Sequence, residues 1–406
     1  MISQPLRRVR QIKASAWLRW SYWWYYAAVG CLLPYLAIYY RHLGLNGFQI
    51  GVLAATLPIG AAFFAPIWGT LADTFAAHRL VLRSVLVLAA LTVLLLARTT
   101  QFGSLLLLMM VLAMMIAAVP ALLDSYAMAI SEREGRPYGQ LRVWGSLGFI
   151  LSAWLIGRWM GDRVSNLFLS AYSVALLVGC AATFGLPALH AKHKESVWRG
   201  VTAIMHDRAV VVLLITTFLV TSSASILFGF LGIYLTEIGG AVQLAGTAAA
   251  IGALSEIPVF VFGTRLLDRL SSRRVLLLAM IMYLVRLSLY SIPLAPSWAV
   301  WVQWLHGLSF GAYLMASVTL IHALAGRARA ATAQGLLTST SLGFGTITGT
   351  LVGGTLLDQI GAVGVLRVAA VGMLVACVTY LFNMRAITPS GASTKHGLQL
   401  TEETTN

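Results

Sequence analysis

Five ionisable side chains stand inside otherwise apolar runs of this sequence: Asp124, Arg142, Glu256, Arg286 and His306. In hydrocarbon such groups cost roughly 2.5–3.5 kcal/mol each on insertion scales, so they point to function. An acid beside a guanidinium suits hydroxyl-bearing ligands, whereas a guanidinium without an acid suits an anion. Asp124 and Arg142 flank the short polar loop 131–137, so their helices run antiparallel. At 1.5 Å per residue they stand about 10 Å and 7 Å from that loop, and an ion pair between them is expected. Arg142 alone could instead snorkel to the membrane surface. Glu256, Arg286 and His306 fall about 15, 18 and 12 Å from the nearer ends of their spans. All three therefore sit near the membrane midplane, where an acid–base cluster could bind a solute or handle a proton.

Aromatic and hydroxyl side chains extend this set. Tyr22 and Tyr26, at i and i+4, could face a cavity and stack on a ring. Tyr283 and Tyr290 flank Arg286, and Gln303 and Phe310 flank His306. The run Thr216, Thr217, Thr221, Ser222, Ser223 and Ser225 either lines a cavity or bonds back to its own helix. Other aromatics near the start, Trp17, Trp20, Trp23 and Trp24, read as interfacial belt residues.

The elements that carry these residues follow from composition. Of 406 residues 59% are hydrophobic and only 10% charged, with a mean hydropathy of +0.83. Soluble domains need about 25% charged residues to keep their surfaces wet. The main solvent is therefore lipid, and a soluble globule, a disordered chain and a disulfide scaffold are excluded. Apolar runs of membrane-crossing length recur near 17–40, 49–72, 80–98, 103–130, 140–161 and 164–188. Six more follow near 209–236, 243–267, 275–294, 298–324, 333–357 and 363–386. Their Leu/Ala/Gly-rich character makes them helices rather than barrel strands. The first, preceded by Arg7, Arg8, Arg10 and Lys13, reads as a retained anchor and not a cleaved signal.

The net charge of +15 is a topology signal. Loops on one side carry 21 Lys and Arg; those on the other carry only Arg41, Arg98, Arg158, Arg163 and Arg367. By the positive-inside rule both termini are cytoplasmic, and no nucleic-acid partner is expected. Cys31, Cys180 and Cys377 lie in apolar runs without CxxC pairing and read as core residues.

A repeat offset by 195 residues runs through the chain. Leu36-Ala37-Ile38-Tyr39 matches Leu231-Gly232-Ile233-Tyr234, Gly44 and Gly51 match Gly239 and Gly246, and Asp73 and Arg79 match Asp268 and Arg274. Ser146-Leu147-Gly148-Phe149 recurs unchanged as Ser341-Leu342-Gly343-Phe344. The offset spans six helices, so the halves share one orientation, related by an axis along the membrane normal. None of the five buried charges is duplicated: their counterparts are Thr319, Leu337, Ala61, Leu91 and Val111. The scaffold is symmetric and the chemistry is not.

Twelve helices arranged as six plus six resemble the major facilitator superfamily. Gly69-Thr70-Leu71-Ala72-Asp73 with His78-Arg79 resembles its gating loop between helices 2 and 3, and Asp268-Arg269 with Arg273-Arg274 its counterpart between helices 8 and 9. The first copy departs from the pattern at Thr74 and at Ala76, where a glycine is expected. More narrowly, Leu123-Asp124, Tyr138-Gly-Gln-Leu-Arg142-Val-Trp-Gly-Ser146, Ser255-Glu256, Val285-Arg286 and Gln303-Trp-Leu-His306 resemble the phenylpropionate permease, lactose permease and nucleoside symporter branch. That resemblance implies substrate binding at Asp124, Arg142, Arg286 and His306, and proton coupling at Glu256, Arg286 and His306. The lactose permease group has a carboxylate one turn beyond its helix 10 histidine; here Ser309 stands there, which makes Glu256 the leading proton carrier.

The expected fold is an all-α integral membrane protein of twelve transmembrane helices in two parallel six-helix repeats. A basic tail (1–16), a bundle (17–188), a cytoplasmic linker (189–208), a second bundle (209–386) and a cytoplasmic tail (387–406) are expected. The expected activity is proton-coupled symport of a sugar, nucleoside or aromatic carboxylate by a monomer in the plasma membrane, a bacterial inner membrane. It uses the proton gradient and no cofactor or metal. Proton-coupled efflux and a non-transporting sensor are the alternatives. No GxxxxGK[ST], HExxH or nucleophile-elbow motif occurs, so an enzyme or an ATP-driven pump is not expected.

Overall fold

The computed structural model describes residues 4–189, 204–293, 295–326, 329–385 and 387. Most of the expected linker (190–203), most of the carboxy-terminal tail (388–406) and residues 1–3 lie outside the described residues.

Among the described residues the chain makes twelve helical passes. The first six are α1 (Gln4–His42), α2 (Gly47–Thr74), α3 (His78–Leu96), α4 (Phe102–Glu134), α5 (Tyr138–Met160) and α6 (Leu167–Ala182). After α7 (Arg208–Glu237), the run Gln243–Tyr290 is divided at Ser271 into α8 (243–270) and α9 (272–290). Then come α10 (Pro296–Ala325) and a run from Ala330 to Asn383 that Gly361 divides into α11 (330–360) and α12 (362–383). Helix α1 begins at Gln4, so part of the expected basic tail is helical.

Eight of the described helical runs are long and apolar enough to cross a membrane, one of them holding both α11 and α12. The three passes below that threshold, α1, α5 and α9, are those carrying the tyrosines, Arg142 and Arg286. Local signals set the ends. Asn46 caps α2 with a reciprocal bond to Gln49, and Asp207 caps α7 through Ala209 N–H. In α4 the helix is interrupted at Ala117, three residues before Pro120, whose ring supplies no N–H to the preceding turn.

The repeat is visible in the backbone. Gly44 and Gly239, 195 apart, share positive φ values of 82° and 86°. Ala76 and Ser271, also 195 apart, are the two non-glycine residues in the left-handed region among those described, at φ 47° and 62°. Each lies three residues after an aspartate, Asp73 or Asp268. Left-handed backbone costs a non-glycine residue roughly 1–2 kcal/mol. Ala76→Gly is therefore expected to stabilise the protein by about 1 kcal/mol, read as a higher thermal-unfolding midpoint.

The two halves meet at one end of the bundle and part at the other. At the first end Arg41 pairs with Asp358 at 2.6 Å, Gly47 N–H donates to Asp358 at 2.5 Å, and Gln243 N–H donates to the Gly161 carbonyl. There α2 and α11 touch backbone to backbone: a Cβ on Gly51 would lie 2.6 Å from the Thr350 carbonyl. At the opposite end a Cβ on Gly69, Gly139 or Gly335 would meet nothing within 4 Å.

Candidate functional site

Glu256, Arg286 and His306 come together from α8, α9 and α10. Arg286 is 1% exposed and is the largest fully buried side chain among those described. Its Nη1 lies 2.9 Å from His306 Nδ1, and His306 Nε2 lies 2.9 Å from Glu256 Oε1. A guanidinium can only donate, so Nδ1 accepts and the imidazole N–H sits on Nε2, donating to Glu256. His306 is thus a neutral bridge between a cation and an anion. It can take a second proton only by releasing Arg286. Arg286 also donates to Gln303 Oε1 and to Ser309 Oγ at 3.4 Å.

The helix geometry that allows this is local. Directly after His306, α10 relaxes into a π-helical turn over Gly307–Gly311, an irregularity frequent at functional sites. Gly307 lies against the Ser255 carbonyl with no room for a side chain, and its N–H donates to Ser255 Oγ at 2.8 Å. That contact sets His306 opposite Glu256. The imidazole stacks on Phe310 at 5.2 Å and meets the edge of Phe228, which also lies 5.9 Å from the Arg286 guanidinium.

The amino-terminal residues form a second cluster, and the expected Asp124–Arg142 ion pair is not among the described ion pairs. Asp124 Oδ1 instead accepts two hydroxyls, from Tyr22 at 2.6 Å and Tyr138 at 2.9 Å. Arg142 lies over the Tyr26 ring at 4.0 Å and farther, at 5.6 Å, from Tyr22. Tyr22 and Tyr26 stack on each other at 6.3 Å. The reason is packing: Gly145 brings Tyr26 against the Arg142 side chain, so the guanidinium is held on a ring face rather than beside the carboxylate.

A cavity of about 500 Å³ lies between the halves. Glu256, Arg286, Gln303 and His306 make its polar wall, and Phe228, Phe310 and Tyr283 its aromatic wall. From the first half α1, α2, α4 and α5 contribute Pro34, Leu53, Met109 and Phe149. Asp124, Arg142, Tyr22 and Tyr26 do not line it. Arg142 lies seven residues before Phe149 on α5, about 10 Å toward the open end. The polar groups therefore form two stations, one in the cavity wall and one nearer the open end.

This geometry has relatives. Residues 15–368 match the MFS_1 like family. The chain belongs to it. It is 31% identical over 348 residues to a maltose permease of Geobacillus stearothermophilus, covering 84% of this chain and 88% of the relative. It is 26% identical to a probable 3-phenylpropionic acid transporter of Escherichia coli strain K12, covering 78% and 84%. The crystal structure of the nucleoside transporter NupG (D323A mutant) superposes with a TM-score of 0.84 at 18% identity, covering 91% of this chain and 99% of that one. The fold is that of the major facilitator superfamily, and the protein is an integral membrane transporter of that type.

The residues expected to form gating loops lie at the open end. Asp73 Oδ1 lies 2.9 Å from His78 Nε2, while Arg79 is exposed. Asp268 and Arg269 are also exposed and take part in none of the described ion pairs. A Cβ on Gly69 would meet nothing within 4 Å, so no helix packs closely against it in this conformation. Close packing instead occurs at Gly345, Gly349 and Gly353, which seat α11 on Thr221, Ser222, Ser225 and Phe230 of α7. The helix α7 hydroxyls mostly bond back to their own carbonyls, although Thr221 and Ser225 also line the cavity. Tyr290 donates to the Ala299 carbonyl and does not line the cavity. Sequence reasoning missed Phe228 and gave Tyr138 no role, though Tyr138 lies four residues before Arg142, on the same face of α5.

Proposed function

We propose that this transporter takes up a small neutral, hydroxyl-rich solute, a sugar or a nucleoside, together with a proton. The observation that carries this reading is the Glu256–His306–Arg286 chain in the cavity wall, which ties a carboxylate to a guanidinium through one neutral imidazole. A solute that draws His306 or Gln303 away would leave Glu256 without its donor, and binding and protonation would thereby be linked. Arg286 is buried and already committed to three acceptors, which argues against a carboxylate solute gripping it. Asp124, which accepts two tyrosine hydroxyls, is suited to accept hydroxyls of a solute passing between the stations. The maltose permease and the nucleoside transporter are named for solutes of this kind.

In this reading the protein works as a monomer in the plasma membrane, with both termini cytoplasmic and no cofactor. The open end, carrying Asp73 and Asp268, then faces the cytoplasm. A panel of sugars, nucleosides and aromatic carboxylates, scored by uptake into vesicles, tests the solute class. Neutral hydroxylated solutes should be taken up, Tyr138→Phe should slow uptake severalfold, and Asp124→Asn should slow it at least about tenfold. Accumulation of aromatic carboxylates alone would end the hydroxyl reading.

A further inference from the structure

A second cavity, of about 940 Å³, opens at the Asp73 end of the first half and shares no lining residue with the cavity between the halves. It is lined by Ala14 of α1, Arg79 at the start of α3, Ile130, Arg133 and Glu134 at the end of α4, and residues 184–188. Its lining carries two arginines against one carboxylate. Arg79 and Arg133 are exposed and take part in none of the described ion pairs or hydrogen bonds. Glu134 is held by Arg136 at 3.2 Å, so it does not neutralise them. Arg83, one turn beyond Arg79, fixes the wall by donating to the Thr183 carbonyl and stacking on Phe184 at 4.0 Å. Tyr126, one turn before Ile130, is fully buried with an unpartnered hydroxyl.

Beside these cations runs an apolar flank. Phe184 is 66% exposed, and Leu80, Val87, Leu91 and Leu94 present a stripe at helical spacing along α3. A cationic pocket that includes the exposed ring of Phe184, and shares α3 with an exposed apolar stripe, matches an anionic phospholipid: phosphate at the arginines, acyl chain along α3. Basic pockets between transmembrane helices bind anionic headgroups by this combination. We infer that Arg79 and Arg133 form a binding site for an anionic phospholipid headgroup, with Phe184 and α3 receiving its acyl chain. Guanidinium forks match phosphate oxygens in a way that a lysine would not. The site stands independently of which solute is carried.

The test uses the purified full chain in a neutral detergent. Dioleoylphosphatidylglycerol, dioleoylphosphatidylcholine and inorganic phosphate are added in turn, and the thermal-unfolding midpoint is read with native mass spectrometry of retained lipid. Phosphatidylglycerol should raise the midpoint and stay bound, and phosphatidylcholine should do neither. The double variant Arg79→Gln/Arg133→Gln should lose both effects while its lipid-free midpoint stays near that of the parent. If the double variant does not fold, Arg133→Gln and Phe184→Ala are read singly, each with reduced retention expected. Equal effects of the two lipids would overturn the site, as would full retention in the variants. Inorganic phosphate reproducing the whole shift would show a free-anion site and overturn the lipid assignment.

Discussion

Glu256→Gln is expected to abolish accumulation driven by a pH gradient while solute exchange continues within about twofold of the parent. The substitution keeps an oxygen that can accept from His306 Nε2, so the bridge to Arg286 is preserved in shape. What it removes is the charge and the titratable proton. The other acid expected within a span, Asp124, does not line this cavity. Asp124 is committed to Tyr22 and Tyr138, and position 309 holds a serine whose hydroxyl meets Arg286. A Glu256→Gln variant that still concentrates solute against its gradient has its proton carrier elsewhere. Loss of both accumulation and exchange would mean that Glu256 holds solute rather than protons.

Asp358→Asn is expected to loosen the closed end. This carboxylate binds Arg41 and the Gly47 N–H at the start of α2, so one side chain from the second half fastens two helices of the first. Both partners are about 40% exposed, so screening limits the ion pair to about 1 kcal/mol or less. A carboxylate at a helix N-terminus adds about 0.3–1 kcal/mol. Together they bias the closed end by roughly 1 kcal/mol, about fivefold in population. With Leu53→Cys as reporter in the cavity wall, an impermeant maleimide added from the Arg41 side should react about fivefold faster in the Asp358→Asn background. The Gly51–Gly354 contact is unaltered by this change, so an unchanged labelling rate would assign closure to helix packing alone.

Much of the architecture was legible because lipid imposes length and charge rules on every span. The 195-residue repeat went further, since the same offset that pairs Gly44 with Gly239 also pairs the strained turns at Ala76 and Ser271. The meeting of Glu256, Arg286 and His306 was legible from depth alone, because three ionisable groups near one plane have few other places to go. Depth does not say which way a side chain turns about its helix. That is why Arg142, correctly set near Asp124 in height, was expected on the carboxylate and lies on Tyr26 instead. The Arg41–Asp358 fastening had no sequence signal at all, as its partners are 317 residues apart and each reads as an ordinary loop-end charge. The division into a cavity and a second polar station likewise depends on how the halves tilt, which no local pattern encodes.

The proposed uptake turns on solute and proton moving together past the Glu256–His306–Arg286 wall. The external pH of a lightly buffered proteoliposome suspension reads this when an accepted solute is added without a pre-set gradient. Coupled entry gives an alkaline shift on solute addition that is absent with Glu256→Gln. An acid shift would mean exchange of solute for protons, and solute entry with no pH change would mean that the wall carries no proton; either result contradicts coupled entry.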